Sequence, residues 1–197
     1  MNIILICARG NSKGIRNKNI KLFNNKPLIS WTIKQAKKLK SFDKIIVSTD
    51  SNIIAKIAIK FGAEAPFKRP KKLSLDNSLE WNAWKHAIKF LEKKYKKKVK
   101  RVLSLPAVSP NRKITDVQKC ISLYNKGKFD SVMCVTHSQR NPYYNMVSRK
   151  INSQINIVIG KKKFNSRQES PKVYDLTTVA TITSGDFILK NDSIFRG

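Results

Sequence analysis

Apolar residues fall into short continuous runs that alternate with stretches of helical spacing. Asn2–Cys7 is such a run, of the length and character of a strand buried on both faces. Pro27–Leu39 follows, with Leu28, Trp31, Ile33, Ala36 and Leu39 close to helical spacing. Lys44–Ser48 predicts a second buried strand. Ser51–Phe61 sets Ile53, Ile54, Ile57, Ala58 and Phe61 on one helical face, with Gly62 as its stop. Ala63–Leu75 carries two prolines and reads as loop. A long helix is predicted over Ser78–Tyr95, a strand over Lys100–Leu105 ending at Pro106, a helix over Ile114–Tyr124 opening near Thr115 or Asp116, and a strand over Asp130–Thr136. Strand–helix alternation with short connections predicts an α/β fold: three layers, with helices on both faces of a mostly parallel sheet.

The rhythm changes after Thr136. His137–Val173 lacks helical periodicity, holds two prolines and alternates apolar with polar residues at Ile151–Ile159, which predicts a loop-and-hairpin excursion from the sheet. Val179–Thr183 returns as a strand and Gly185–Lys190 starts a helix.

A chain of 197 residues that is 41% hydrophobic suffices for one domain with a sizeable core. Its longest apolar runs, such as Ile3–Ala8, fall far short of the roughly 20 residues that span a bilayer. The N-terminus enters a strand without a secretory pattern, so a cytoplasmic protein is expected. Cys7, Cys120 and Cys134 are too few and too dispersed for a disulfide framework and read as reduced thiols.

The formal charge is +29, from 41 Lys and Arg against 12 Asp and Glu. Such a balance raises the possibility of a nucleic-acid partner. Its make-up weakens that reading: 32 of the 41 are Lys and 9 are Arg, whereas forked phosphate and base contacts favour Arg. The densest run, Lys93–Arg101, ends a helix and enters a strand, as expected of a solvated helix end. No specific nucleic-acid partner is expected.

The chemistry concentrates in Cys7–Asn19, directly after the first strand. Gly10 and Gly14 permit tight turns and close backbone approach, while Arg9, Lys13, Arg16 and Lys18 bring positive charge. Backbone N–H groups with Arg and Lys suit a polyphosphate. The segment is neither a Walker A motif nor GxGxxG. His86 shares a helix with Trp81 and Trp84 and reads as core. Two histidines and three scattered cysteines provide no zinc site.

The run Ala8-Arg9-Gly10-Asn11-Ser12-Lys13-Gly14-Ile15, with Lys18-Asn19 after it, resembles the signature of the acylneuraminate cytidylyltransferases, the CMP–sialic acid synthetase family. The likeness continues in order through Lys26–Ile29, Ile46–Ser51, Phe61–Glu64, Arg69-Pro70, Leu105–Arg112, Arg140–Tyr143 and Arg167–Asp175, and so spans nearly the whole chain. It implies the nucleotide-diphospho-sugar transferase form of the three-layer fold. One cytidylyltransferase domain would cover residues 1–197, with 137–175 as an excursion for dimerisation and the sugar site.

The implied reaction is transfer of CMP from CTP to the anomeric hydroxyl of an acidic 3-deoxy-ulosonic sugar, releasing pyrophosphate, in bacterial surface-glycan synthesis. The resemblance assigns Ala8, Arg9, Gly10, Asn11, Ser12, Lys13, Asn19, Arg69, Asn77 and Ser78 to the nucleotide, with Arg9 and Lys18 as the catalytic cations. Arg167, Gln168 and Tyr143 would take the sugar, Arg167 by a fork on its carboxylate. Lys13 divides between a phosphate contact and a structural ion pair, and Asp50 between a ligand contact and a helix N-cap. A homodimer and magnesium are implied as well. Relatives carry a later Asp-x-Asp that binds the metal, so the chain is expected to be short for the family, with its metal ligands beyond residue 197. Either an enzyme or a nucleotide-binding remnant with weak turnover fits that shortening. Pro106, Val108 and Asp175 depart from the pattern of many sialic acid enzymes and widen the choice of sugar acid.

Overall fold

The computed structural model describes residues 1–12, 14–127, 129–160 and 164–196. In chain order the elements are β1 (Asn2–Cys7), β2 (Leu22–Phe23), β3 (Lys26–Pro27), α1 (Leu28–Ala36), β4 (Lys44–Ser48), α2 (Asn52–Lys60), α3 (Glu80–Tyr95), β5 (Arg101–Ser104), α4 (Ile114–Tyr124), β6 (Ser131–His137), β7 (Val147–Arg149), β8 (Ile155–Ile157), β9 (Tyr174–Ser184) and α5 (Gly185–Lys190), with three short 3-10 turns. The central sheet runs β4-β1-β5-β9-β6. β1 pairs in parallel with β4 and β5, and β9 lies antiparallel on β5 with Leu103 opposite Ile182. The sheet is therefore mixed, mostly parallel as expected, with one antiparallel return that the strand–helix rhythm did not announce.

β1 accounts for the continuous apolar run. Ile4 and Ile6 join one core cluster with Ile29 and Ile33 of α1, Ile54 and Ala58 of α2, and Val117 and Ile121 of α4. Ile3 and Leu5 join the other, with Trp84, Ile88 and Leu91 of α3 and Ile188 of α5. Alternate side chains of a strand point to opposite faces, so a central strand with helices on both faces is apolar throughout. At the start of α5 the backbone leaves no room for a side chain. A Cβ on Gly185 would stand 1.9 Å from the Val99 carbonyl oxygen, and Gly185 N–H donates to the Lys100 carbonyl at 3.0 Å.

The described chain forms two compact units. The body comprises Met1–Cys134 and the segment from Thr178 onward, and the second unit is Val135–Thr177. The hairpin β7–β8 lies inside the second unit, pairing Val147 with Ile157. It is offset from the alternation read at Ile151–Ile159 because Lys150–Gln154 forms its turn, with Ser153 at φ 66°. No helix among the described residues is long and apolar enough to cross a membrane.

Candidate active site

At the carboxyl end of β1 the chain turns sharply. Ala8 is buried and donates its N–H to the Ser48 carbonyl at 3.0 Å, and Gly10 N–H donates to Asp50 Oδ1 at 2.8 Å. A Cβ on Gly10 would lie 3.1 Å from Ser51 Cβ, so a larger residue would press the loop off α2. Asn19, 5% exposed, closes the loop by donating from Nδ2 to the Arg9 carbonyl at 2.9 Å. Asp50 is thus a pin for the loop. The N-cap, one of its two alternatives, falls to Ser51, whose hydroxyl accepts from Ile54 N–H at 3.4 Å.

The loop forms one wall of a cleft of about 390 Å³, a volume suited to a small-molecule ligand. Arg9, Ser12, Lys18 and Asn19 line this wall; Arg69, Asp76, Ser78 and Glu80 line the second, and Pro106, Ala107, Val108 and Thr178 a third. The cleft opens at the carboxyl ends of parallel strands, where ligands bind in open α/β sheets. Of the expected nucleotide residues, Arg9, Ser12, Asn19, Arg69 and Ser78 line it, as does Lys18; Ala8, Gly10, Asn11 and Asn77 do not. Lys13 lies outside the described residues.

The cations are held differently. Arg9 Nη2 pairs with Asp76 Oδ1 at 2.9 Å and Nη1 donates to the Leu75 carbonyl at 3.3 Å. Arg69 is 5% exposed; its Nε donates to Ser74 Oγ at 3.1 Å, and its Nη2 has no partner among the described residues. A buried guanidinium nitrogen without an acceptor is costly unless a ligand supplies one. His86 packs edge-on against Phe67, and burial and then the charge of Arg69 lower its pKa, consistent with its reading as core.

Several residues of the site were not singled out by sequence. Cys7 and Glu80 line the cleft, and burial and then Glu80 push the Cys7 thiol well above its ordinary range. Asp76 holds Arg9. Arg112, 7% exposed, fixes the third wall: Nη2 donates to the Pro106 and Thr178 carbonyls at 2.6 and 3.2 Å, Nη1 to Gln35 Oε1 at 2.8 Å, and Nε to the Val179 carbonyl. Burial lowers the pKa of Arg112 to about 10, so it remains charged at neutral pH. The clearest advance signal was Glu80, four residues before Trp84 on one helical face.

The second unit holds a cleft of about 310 Å³ lined by His137, Ser138, Asn141, Arg167, Gln168 and Lys172 among others. Arg167 Nη2 donates to the Ser138 carbonyl at 2.6 Å. Asn141, 3% exposed, donates from Nδ2 to Ser170 Oγ at 2.9 Å and to the Pro171 carbonyl at 3.0 Å, and its Oδ1 accepts from Tyr143 N–H at 2.9 Å. Tyr143 does not join Arg167 and Gln168; it lines another cavity, edge-on to Phe164.

No group of three His, Cys, Asp or Glu among the described residues is placed to hold a metal ion. The cleft's two carboxylates are engaged, Asp76 by Arg9 and Glu80 by Trp84 Nε1 at 3.0 Å. These residues do not form a magnesium site by themselves.

Comparison with known proteins agrees with this fold. The chain is 36% identical over 190 residues to post-translational flagellin modification protein B of Campylobacter coli, covering 96% of this chain and 80% of that protein. It is 35% identical over 190 residues to the CMP-N,N'-diacetyllegionaminic acid synthase of Campylobacter jejuni, with the same coverage. Its fold matches that of a CMP:2-keto-3-deoxy-manno-octonic acid synthetase solved with CTP, at a TM-score of 0.70, 14% identity and coverage of 98% of this chain and 79% of that one. Residues 3–178 match the model of the family described as Cytidylyltransferase, and the chain belongs to that family.

Proposed function

We propose that this protein transfers CMP from CTP to the anomeric hydroxyl of an acidic 3-deoxy-ulosonic sugar of the nonulosonic class. The observation that carries the reading is the cleft in which Arg9, Ser12, Lys18 and Asn19 meet the buried Arg69, whose Nη2 lacks an acceptor. In the reaction the sugar hydroxyl oxygen bonds to the α-phosphorus and releases its proton. The bond from that phosphorus to the bridging oxygen breaks, and pyrophosphate leaves. Such chemistry rests on positioning and charge neutralisation. Lys18 and Arg9 supply positive charge to the phosphates; a guanidinium has five N–H donors, so Arg9 can bind phosphate while retaining Asp76.

Arg167 and Gln168 are assigned to the sugar carboxylate, the bond to Ser138 holding the guanidinium in place. Tyr143 is left out of that subsite. A homodimer is proposed on the apolar surface of the second unit, where Val147, Ile151, Ile155 and Leu176 are each more than half exposed. The reaction is placed in the cytoplasm, where CTP is made.

Protein given CTP, magnesium and, in turn, legionaminic, pseudaminic and N-acetylneuraminic acid should release pyrophosphate and form a CMP-sugar with at least one of them. Pyrophosphate no higher than the sugar-free blank in every case overturns the transferase reading.

A further inference from the structure

One surface of the body is built from segments that lack carboxylates. No Asp or Glu occurs among residues 1–42 or 51–63, the stretches that hold β2, β3, α1 and α2. Ile29 and Ile33 of α1 and Ile54 and Ala58 of α2 enter the same core cluster on one side of the sheet, so the outer faces of the two helices look the same way. Those outer faces expose Lys34, Lys37 and Lys38 at the end of α1 and Lys56 and Lys60 on α2. Among the described residues none of the five pairs with a carboxylate.

The same surface shows apolar side chains to water. Ile53 and Ile59, 61% and 58% exposed, lie among the lysines of α2, and the β2–β3 hairpin adds Leu22 at 66% and Phe23 at 40%. The hairpin is fixed to α1: Trp31 Nε1 donates to the Phe23 carbonyl at 2.8 Å, and the two rings stand edge-on. Lys26 Nζ and Lys34 Nζ each lie 5.8 Å from the indole centroid. A shallow cavity of about 180 Å³, lined by Lys26, Trp31, Lys34, Lys37 and Phe61, carries the surface on from the hairpin to the end of α2. None of these residues lines the active-site cleft.

We propose that this face docks the protein reversibly on an anionic lipid bilayer. The ammonium groups lie over the headgroups, while Leu22, Phe23, Ile53 and Ile59 enter the boundary between headgroups and acyl chains. Lysine suits this task, because attraction to a charged plane needs point charges and no fork. A nucleic acid would satisfy the lysines alone and leave the apolar side chains in water, whereas a bilayer takes both. A second copy of the chain would set lysine against lysine. The attachment is reversible because it rests on a few partly exposed side chains and screened charges rather than on an inserted segment.

Co-sedimentation tests this with vesicles of phosphatidylcholine alone and of phosphatidylcholine with an equal part of phosphatidylglycerol. The protein should pellet with the anionic vesicles, come off as salt is raised, and ignore the neutral ones. Lys34→Glu combined with Lys38→Glu should weaken vesicle binding about tenfold or more. Lys93→Glu combined with Lys97→Glu makes the same charge change at the end of α3 and should change binding less than about twofold. Ile53→Ser combined with Ile59→Ser, at an unchanged thermal midpoint, should weaken binding without altering the charge. Equal losses from the two lysine pairs would reduce the effect to net charge and overturn the proposal, as would equal binding to both kinds of vesicle or to neither. Single-stranded RNA held more tightly than the anionic vesicles, with the isoleucine pair making no difference, would assign the face to nucleic acid instead.

Discussion

The body and the second unit are held together by opposite means. In the body, two apolar clusters cover the two faces of the sheet, and Ile3, Ile4, Leu5, Ile6 and Leu103 are all at 0% exposure. Among the described residues of the second unit, those that are buried are Ser138, Asn141 and Ser170, all polar. One unit is organised by burial of side chains, the other by the hydrogen bonds of one asparagine. A core of apolar side chains gives a rigid frame on which a cleft can be held to fractions of an ångström. A polar hub gives a local conformation, and leaves apolar side chains such as Val147 and Ile155 facing outward.

The same contrast separates the two arginines assigned to ligands. Arg69 is buried in the body with Nη2 unpartnered, whereas Arg167 is exposed and spends its Nη2 on the Ser138 carbonyl.

The largest test of the comparison is Leu103→Ala. Truncating this side chain should cost the body about 2–5 kcal/mol, read as a shifted urea midpoint. A loss below about 1 kcal/mol would show that the body does not depend on its core in this way. Arg69→Ala should remove about 1.5–3 kcal/mol of CTP binding, roughly ten- to a hundredfold, whereas Arg167→Ala should leave CTP affinity unchanged and raise the KM for the sugar. Equal effects on CTP would dissolve the distinction between them.

Asn141→Ala should cost about 1–3 kcal/mol, seen as faster hydrogen exchange and proteolysis within Val135–Thr177. Matching changes in the body would mean that the two units open together. The smallest effect belongs to the body's surface. Lys44 Nζ lies 2.6 Å from Glu64 Oε1, and Tyr95 donates to Oε2 at 2.6 Å. Burial works to raise the Glu64 pKa, but the hydrogen bonds from Lys44 and Tyr95 outweigh it and the net shift is downward. Its contribution is therefore present at neutral pH and lost as the pH falls through the lowered folded-state value. Glu64→Gln should cost less than about 1 kcal/mol at pH 7 because the pair is partly exposed, with the difference from wild type fading below about pH 4.5.

Elements whose pattern is set by the sheet were readable from sequence. α4 spans Ile114–Tyr124 as expected, because its apolar residues repeat at helical spacing against one face. α5 begins at Gly185 as expected, and Ser184 caps it by accepting from Phe187 N–H at 3.0 Å. β9 was read only over Val179–Thr183; its first residues are largely exposed and carry no burial pattern. The cationic side of the cleft was legible because it is one contiguous loop. Glu80, Cys7 and Thr178 were not, since they meet only when α3, β1 and β9 come together. The N-cap alternative for Asp50 failed because a carboxylate before a helix has the same local signature whether it caps that helix or reaches a loop 40 residues away.

The buried Arg112 bears on how the cleft attracts its ligand at different ionic strengths. The partners it hydrogen-bonds, backbone carbonyls, Thr32 and Gln35, are neutral, so none of those bonds carries a countercharge. Pro106 and Thr178, whose carbonyls it grips, are themselves part of the cleft wall. Mobile ions screen the many exposed lysines within roughly 10 Å at 0.1 M, but they do not enter a packed interior. Raising the electrolyte concentration should therefore strip away the long-range pull of the +29 surface first. What persists is the field of a cation sealed behind the wall, and the anion's attraction should level off rather than vanish.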